Sequence, residues 1–311
     1  MLRSQKKPST TGKSASVLIP VDFSPKGELA VSVGFELARR LSKPVVLIHA
    51  SVLAGPEIVP QFPDDFNGLD NESSELEEIE LEQEIHEIDE KMMGELKTKL
   101  LKQQQDGQLP QIPFDTVLSP GMPEDVISEY CEVSPVEVVV MATRGREKRR
   151  EELMGSVTAE VIDHRPAPVF TVPEDYSFAG FKEIVRICAF CLFDEGDFDA
   201  IAKMMDMFGN PEVKIYLFPA SDKIKGEERE EVLKNLATRL KTAFPNSDFF
   251  VGEGEDKSNL RTEAETFFLK ESIQMIVAPN RKRNAISRFF NPSLAHKILY
   301  EIDFPMLAIP V

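Results

Sequence analysis

Short apolar runs recur along the 311-residue chain, separated by amphipathic stretches, and their lengths predict alternating strands and helices. In the first half the runs predict strands at 17–22, 44–50, 112–118, 136–141 and 167–172. In the second half they predict strands at 184–191, 212–218, 247–251, 273–278 and 304–310. Helical stretches between most of these runs imply right-handed parallel crossovers with helices on both sheet faces. The fold class is therefore α/β, with two tandem doubly wound parallel-sheet units.

The second half repeats the first. Ile187 to Asp194 lies over Val17 to Ser24, an offset of 170 residues, and Met275 to Arg281 lies over Val139 to Gly145, an offset of 136. Phe304 to Val311 then matches the last strand of the first unit. The drop in offset places extra length in the first unit. The expected organisation is a polar, basic tail at 1–15 that is disordered, a first domain at 16–174, and a second, degenerate domain at 182–311. Both final strands are apolar edges, and an uncovered apolar edge invites aggregation. The units are expected to pair through 167–172 and 306–311 as a pseudo-dimer within one chain, which leaves the protein a monomeric pseudo-dimer or a homodimer.

The extra length at about 52–108 reads as an acidic helical insertion. Ser51 to Asn71 contains Pro56, Pro60 and Pro63 and reads as loop. From Glu72 to Glu90 there are ten acidic residues and no basic one. Leu81, Ile85, Ile88, Met92, Leu96 and Leu100 recur at helical spacing, which predicts an apolar stripe with acids on the outer face. Two readings stay open here: a surface helix docked on its own domain, and an arm that docks a protein partner.

Bulk composition narrows the function classes. Hydrophobic content of 42% and charged content of 29% describe an ordinary globular protein. A net charge of −17 argues against non-specific nucleic-acid binding and disfavours anionic membrane surfaces. No apolar run reaches the roughly 18 residues of a membrane span, and the opening residues lack a secretory apolar core. Three cysteines do not make a disulfide framework. Together these features point to a cytoplasmic protein.

The chemistry concentrates after the fourth run. Ala142-Thr143-Arg144-Gly145 is followed, nine residues later, by Gly155-Ser156-Val157, where a helix is predicted to open. Glycines let backbone N–H groups approach a ligand, and a helix N-terminus adds unpaired donors and positive dipole, a combination that suits phosphate. This loop resembles that of the universal stress protein family, whose pattern is Gly, two residues, Gly, nine residues, Gly-Ser/Thr. Val17 to Ser24 with its terminal Asp22, Val45 to Ala50 with His49, and His164 to Val169 are similar to the family's first strand, second strand and approach to the fifth.

The resemblance implies an adenine nucleotide, ATP first, with ADP or AMP as alternatives and with or without Mg. It implies that Asp22 approaches the adenosine end and that backbone around Pro20 and Ala50 flanks the base. Met141, Ala142, Arg144, Gly145, Gly155, Ser156 and Val157 would surround ribose and phosphates. For Asp22 the competing role is a helix-entry residue that satisfies only nearby N–H groups. Ala142 departs from the family's glycine. If that position needs a positive φ, its Cβ costs about 1 kcal/mol, roughly fivefold in affinity; if it is extended, the methyl would instead crowd the ligand. Arg144, Arg146, Lys148, Arg149 and Arg150 form a cationic loop that draws anions or pairs with Glu147, Glu151 and Glu152.

In the second unit Leu192, Arg281 and Asn291-Pro292 align with Asp22, Gly145 and Gly155-Ser156, so the site is expected to be lost there. Cys188-x-x-Cys191 lies in a predicted strand and reads as buried apolar packing, since redox pairs of this spacing belong at a helix N-terminus. The four histidines are scattered, and neither His49 nor His164 has a nucleophile motif beside it. At most slow ATP hydrolysis is expected. The competing function class is an interaction scaffold of the same fold that binds no nucleotide.

Overall fold

Strands β1 (Ser16–Pro20), β2 (Val45–Ser51), β3 (Phe114–Pro120), β4 (Val136–Thr143) and β5 (Val169–Pro173) fall on the five runs of the first half. Strands β6 (Arg186–Cys191), β7 (Lys214–Pro219), β8 (Asp248–Val251), β9 (Met275–Asn280) and β10 (Met306–Pro310) fall on those of the second. The computed structural model describes residues 14–24, 27–51, 71–143, 157–164, 166–173, 180–181, 184–221, 224–252, 260–281 and 304–311. The expected tail lies almost wholly outside the described residues.

All ten strands form one sheet in the order β3-β2-β1-β4-β5-β10-β9-β6-β7-β8. Within each set of five the pairs are parallel. The sets join antiparallel through β5 and β10, with Met306 opposite Thr171, Leu307 opposite Phe170 and Ala308 opposite Val169. The expected edge pairing is thus present, and the ladder is short.

Both faces of the sheet are covered, which is why the strands are apolar without alternation. On one face Val17, Leu47, Val140 and Phe170 pack with their counterparts Ile187, Leu217, Val277 and Leu307. Helices α1 (Gly27–Leu41) and α2 (Asn71–Gln105) cover that face in the first half. On the other face lie Leu18, Val139, Met141 and Val169, then Cys188, Ile276 and Met306, under α3 (Pro123–Val133) and α4 (Val157–His164). In the second half α5 (Glu195–Met207) and α6 (Gly226–Ala243) lie on the first face, and α7 (Leu260–Glu271) on the second. At Gly34 of α1 a Cβ would overlap the Ile19 side chain, so the glycine lets α1 sit close on β1.

Strand register corrects the repeat alignment. Val17 pairs with Val138 and Ile187 with Met275, so β4 and β9 correspond at an offset of 137, against 136 from the sequence. A slip of one residue sends every side chain to the opposite face. At 137, Val140 and Val277 share one face and Val139 and Ile276 the other. Arg281 therefore lies over Arg144, and the partner of Gly145 is Lys282. The offset of 170 for β1 and β6 holds, down to Phe23 and Phe193, which both turn to a positive φ of 56° and 62°.

The apolar stripe of α2 holds at Ile85, Leu96 and Leu100 and departs at two positions; the Leu81 side chain lies outside the described residues. Met93 and Leu100 are buried and Leu96 is half-buried, whereas Ile88 is 56% and Met92 37% exposed. Asp89 turns inward instead. The C-terminal part of α2 is the β2–β3 crossover helix, as α6 is between β7 and β8, and it packs on the same core as Val45 and Leu47. Its end is tied down by Gln104, whose Nε2 donates to Pro110 O at 2.7 Å and Ile112 O at 2.8 Å.

The seam between the halves has its own packing. Phe170, Phe181 and Phe208 stack in sequence, with centroids 5.5 and 5.8 Å apart, and Arg40 lies 5.7 Å over Phe208. On the other face Asn280 Nδ2 donates to Ile162 O at 2.5 Å. Expressed alone, residues 1–174 lose these partners and leave β5 as an open edge. That fragment is expected to form a homodimer by light scattering. A stable monomer would show that the edge needs no partner.

Candidate functional site

In an open parallel sheet the ligand crevice lies beyond the carboxyl ends of the strands where their order reverses. In the first half that point is between β1 and β4. Pro20 ends β1 and Ala50 is near the end of β2. Met141 and Ala142 are near the end of β4, and Val157 opens α4. The sheet brings these ends side by side, since Pro20 is opposite Ile48 and Leu18 opposite Val139. Asp22 stands two residues past the end of β1 and is exposed. Arg144, Gly145, Gly155 and Ser156 lie outside the described residues.

Asp22 anchors the turn into α1. Its Oδ1 accepts the Ser24 N–H at 3.0 Å and the Ser24 hydroxyl at 2.7 Å, and Ser24 Oγ in turn accepts the Gly27 N–H at 3.3 Å. This is the helix-entry role weighed from the sequence, and the bonds recorded among the described residues fall on one carboxylate oxygen. A Cβ at Gly27 would stand 3.1 Å from that oxygen, so the glycine keeps the space beside Asp22 clear.

Ala142 is an extended strand residue opposite Val172. Its methyl sits on the core against the α1 face. The position does not need a positive φ, so the anticipated backbone cost of about 1 kcal/mol is absent.

His49 supports the crevice wall from β2. Its Nδ1 is 2.7 Å from Val21 O, its ring lies 4.3 Å from that of Phe23, and its Nε2 is 3.5 Å from Asp89 Oδ1 on α2. The Ser51 hydroxyl donates to the other oxygen of Asp89. The family pattern offered no sign of Asp89, one acid among ten in its stretch. His164, at the end of α4, lies 3.4 Å from Ser128 Oγ.

The corresponding crevice of the second half is filled by its own side chains. Asp197, in the position of Gly27, is only 2% exposed. Its carboxylate accepts the N–H groups of Leu192 at 2.9 Å, Phe193 at 2.7 Å and Asp194 at 3.3 Å. Burial pushes this carboxyl above the usual range, and the Leu192 and Phe193 donors pull it back. Arg281 pairs with Asp194 and reaches within 3.6 Å of Asp197. Leu192 stands where the first half has Asp22. Asn291 and Pro292 lie outside the described residues.

Cys188 and Cys191 are both buried in β6, and they belong to opposite faces of the sheet. They cannot meet in a disulfide or at one metal. Burial pushes both thiols well above their ordinary range. Among the described residues no helix is long and apolar enough to cross a membrane.

The model of the Universal stress protein family matches residues 14–173. A curated universal stress protein of Methanocaldococcus jannaschii is 26% identical over 159 residues, which span 50% of this chain and 93% of the relative. Among solved structures, a universal stress protein from Archaeoglobus fulgidus aligns with a TM-score of 0.66 at 14% identity, covering 95% of this chain and 98% of that one. A putative universal stress protein from Pseudomonas aeruginosa aligns with a TM-score of 0.53 at 10% identity, covering 95% and 93%. These structural likenesses concern the fold, and they run through both halves.

Asp197→Ala should destabilise the chain by about 1–3 kcal/mol in urea unfolding, because it strands buried backbone donors. A loss below about 0.5 kcal/mol would mean that these donors find other acceptors.

Proposed function

The chain belongs to the universal stress protein family, and from that premise we propose that its first domain, 16–174, binds one adenine nucleotide, ATP foremost, in the β1–β4 crevice. The second domain, 182–311, is a degenerate copy that serves as structural partner, and the tandem acts in the cytoplasm as a stress-response protein. The base would lie between the backbone of Pro20 and Ala50, with Asp22 at the adenosine end. Met141, Ala142, Arg144, Gly145, Gly155, Ser156 and Val157 would surround ribose and phosphates. ADP or AMP would use the same contacts, and Mg would accompany the phosphates. Bound nucleotide supplies a charged, bulky group that biases a conformation or a surface, so the role is binding, with hydrolysis slow at most.

The observation that carries this reading is the contrast at one position. Gly27 leaves the space beside Asp22 clear, whereas Asp197 and Arg281 fill its counterpart. A carboxylate on loop N–H groups stands where an anionic ligand would otherwise be held.

Calorimetric titration of the full chain with ATP is expected to give a stoichiometry of one. Two equivalent sites, or no heat at millimolar ATP, would sink the proposal. Gly155→Asp places a like charge at the phosphate position and should abolish binding with the melting temperature retained. Unchanged binding would place the phosphates elsewhere.

A second reading is the scaffold that binds partners and no nucleotide. The exposed Ile88 and Met92 on acidic α2 favour it. Titration without heat, together with a protein bound through α2, would support it.

A further inference from the structure

We propose that Asp89 on α2 is a positioning residue for the first crevice, acting through His49 on the loop that carries Asp22; this rests on the nucleotide-binding reading above. The contacts form a continuous path from helix to crevice. Asp89 is held by the Ser51 hydroxyl at one oxygen and faces His49 Nε2 at 3.5 Å with the other. His49 Nδ1 meets Val21 O at 2.7 Å, and Val21 N donates back to Ile48 O at 2.9 Å. The His49 ring packs on Phe23 at 4.3 Å. Val21 and Phe23 flank Asp22 in the chain, so His49 holds the residue on each side of it.

The loop needs such support. Phe23 has a φ of 56°, a left-handed conformation that is strained for a residue with a Cβ and persists only where neighbours impose it. Val21 O faces one ring nitrogen and the Asp89 carboxylate the other, with the His49 and Asp89 side chains 14% and 13% exposed. Without Asp89 it is held by Val21 O alone and can turn about its Cβ–Cγ bond. Phe23 then loses its packing partner and the turn at Asp22 loosens. Asp89 is the inward residue among neighbours that face out, since Ile88 and Glu90 are exposed. An acid turned inward in place of the adjacent isoleucine is what this role requires. The N-terminal part of α2 is thereby linked to the crevice, and a partner that shifts the helix would change nucleotide affinity.

The test is ATP titration of the full chain as wild type, Asp89→Ala, Asp89→Asn, His49→Ala and the double variant Asp89→Ala/His49→Ala. Asp89→Ala should weaken ATP about five- to tenfold, while Asp89→Asn, which keeps a polar partner for Ser51 and His49, should stay within about twofold. In the His49→Ala background Asp89→Ala should cost nothing further, because the path is already cut. Affinity unchanged in Asp89→Ala, or an equal further loss in the His49→Ala background, overturns the positioning role and leaves the nucleotide reading standing. A wild type that binds no ATP overturns both. The His49 ring 15N shifts give a readout that does not depend on nucleotide. Asp89→Asn must move them, and unchanged shifts overturn the proposal even if Asp89→Ala fails to fold.

Discussion

The antiparallel pairing of β5 with β10 is the constraint on which the rest of the molecule depends. Each half ends in a strand of apolar side chains buried on both faces, whose free edge would present unpaired N–H and C=O groups to other chains. Pairing the two edges turns two five-stranded sheets into one of ten and buries Phe170 with Leu307 on one face and Val169 with Ala308 on the other. Prolines at 166, 168, 305 and 310 limit the donors there, so three residue pairs suffice and side chains do much of the joining. The Phe170–Phe181–Phe208 stack and the bond from Asn280 to Ile162 secure the two faces of that seam.

Once the halves are joined, the same strand order offers two crevices, and side chains decide what becomes of each. In the second half a buried carboxylate and a guanidinium neutralise one another over the loop N–H groups. Desolvating such a pair is costly, and it survives because Asp197 is also held by three backbone donors. In the first half a glycine stands at that position, and the Asp22 carboxylate and the Ser24 hydroxyl organise the turn. The two halves thus differ at one position, a glycine in the first and a buried carboxylate in the second.

Helix α2 belongs to two parts of the structure at once. Its C-terminal part is ordinary crossover helix, anchored by Met93, Leu100 and Gln104. Its N-terminal part carries the acidic run, and through Asp89 it reaches the end of β2. The apolar Ile88 and Met92 are left outside because the inward angle is taken by Asp89 and Met93. A polar contact at the crevice mouth accompanies this local departure, while Leu96 and Leu100 keep the face that the apolar spacing marks.

By itself the sequence determined the α/β class, all ten strand positions to within about two or three residues, the repeat, and which edges would pair. These follow from the length and apolarity of Val17 to Pro20, Val138 to Met141 and their counterparts, which are local properties. The helix entry after Ser24 was legible for the same reason. Three things were decided only by tertiary structure. The inward turn of Asp89 on α2 accompanies its meeting with His49, a residue forty positions away along the chain. The offset of β9 against β4 depended on inter-strand register, since a continuous apolar run carries no parity of its own, and one residue exchanges the two faces. The filling of the second crevice depended on Asp197 and Arg281 coming together from α5 and the end of β9. Pairings between distant segments leave no periodicity in the chain, and only the folded sheet brings them within reach.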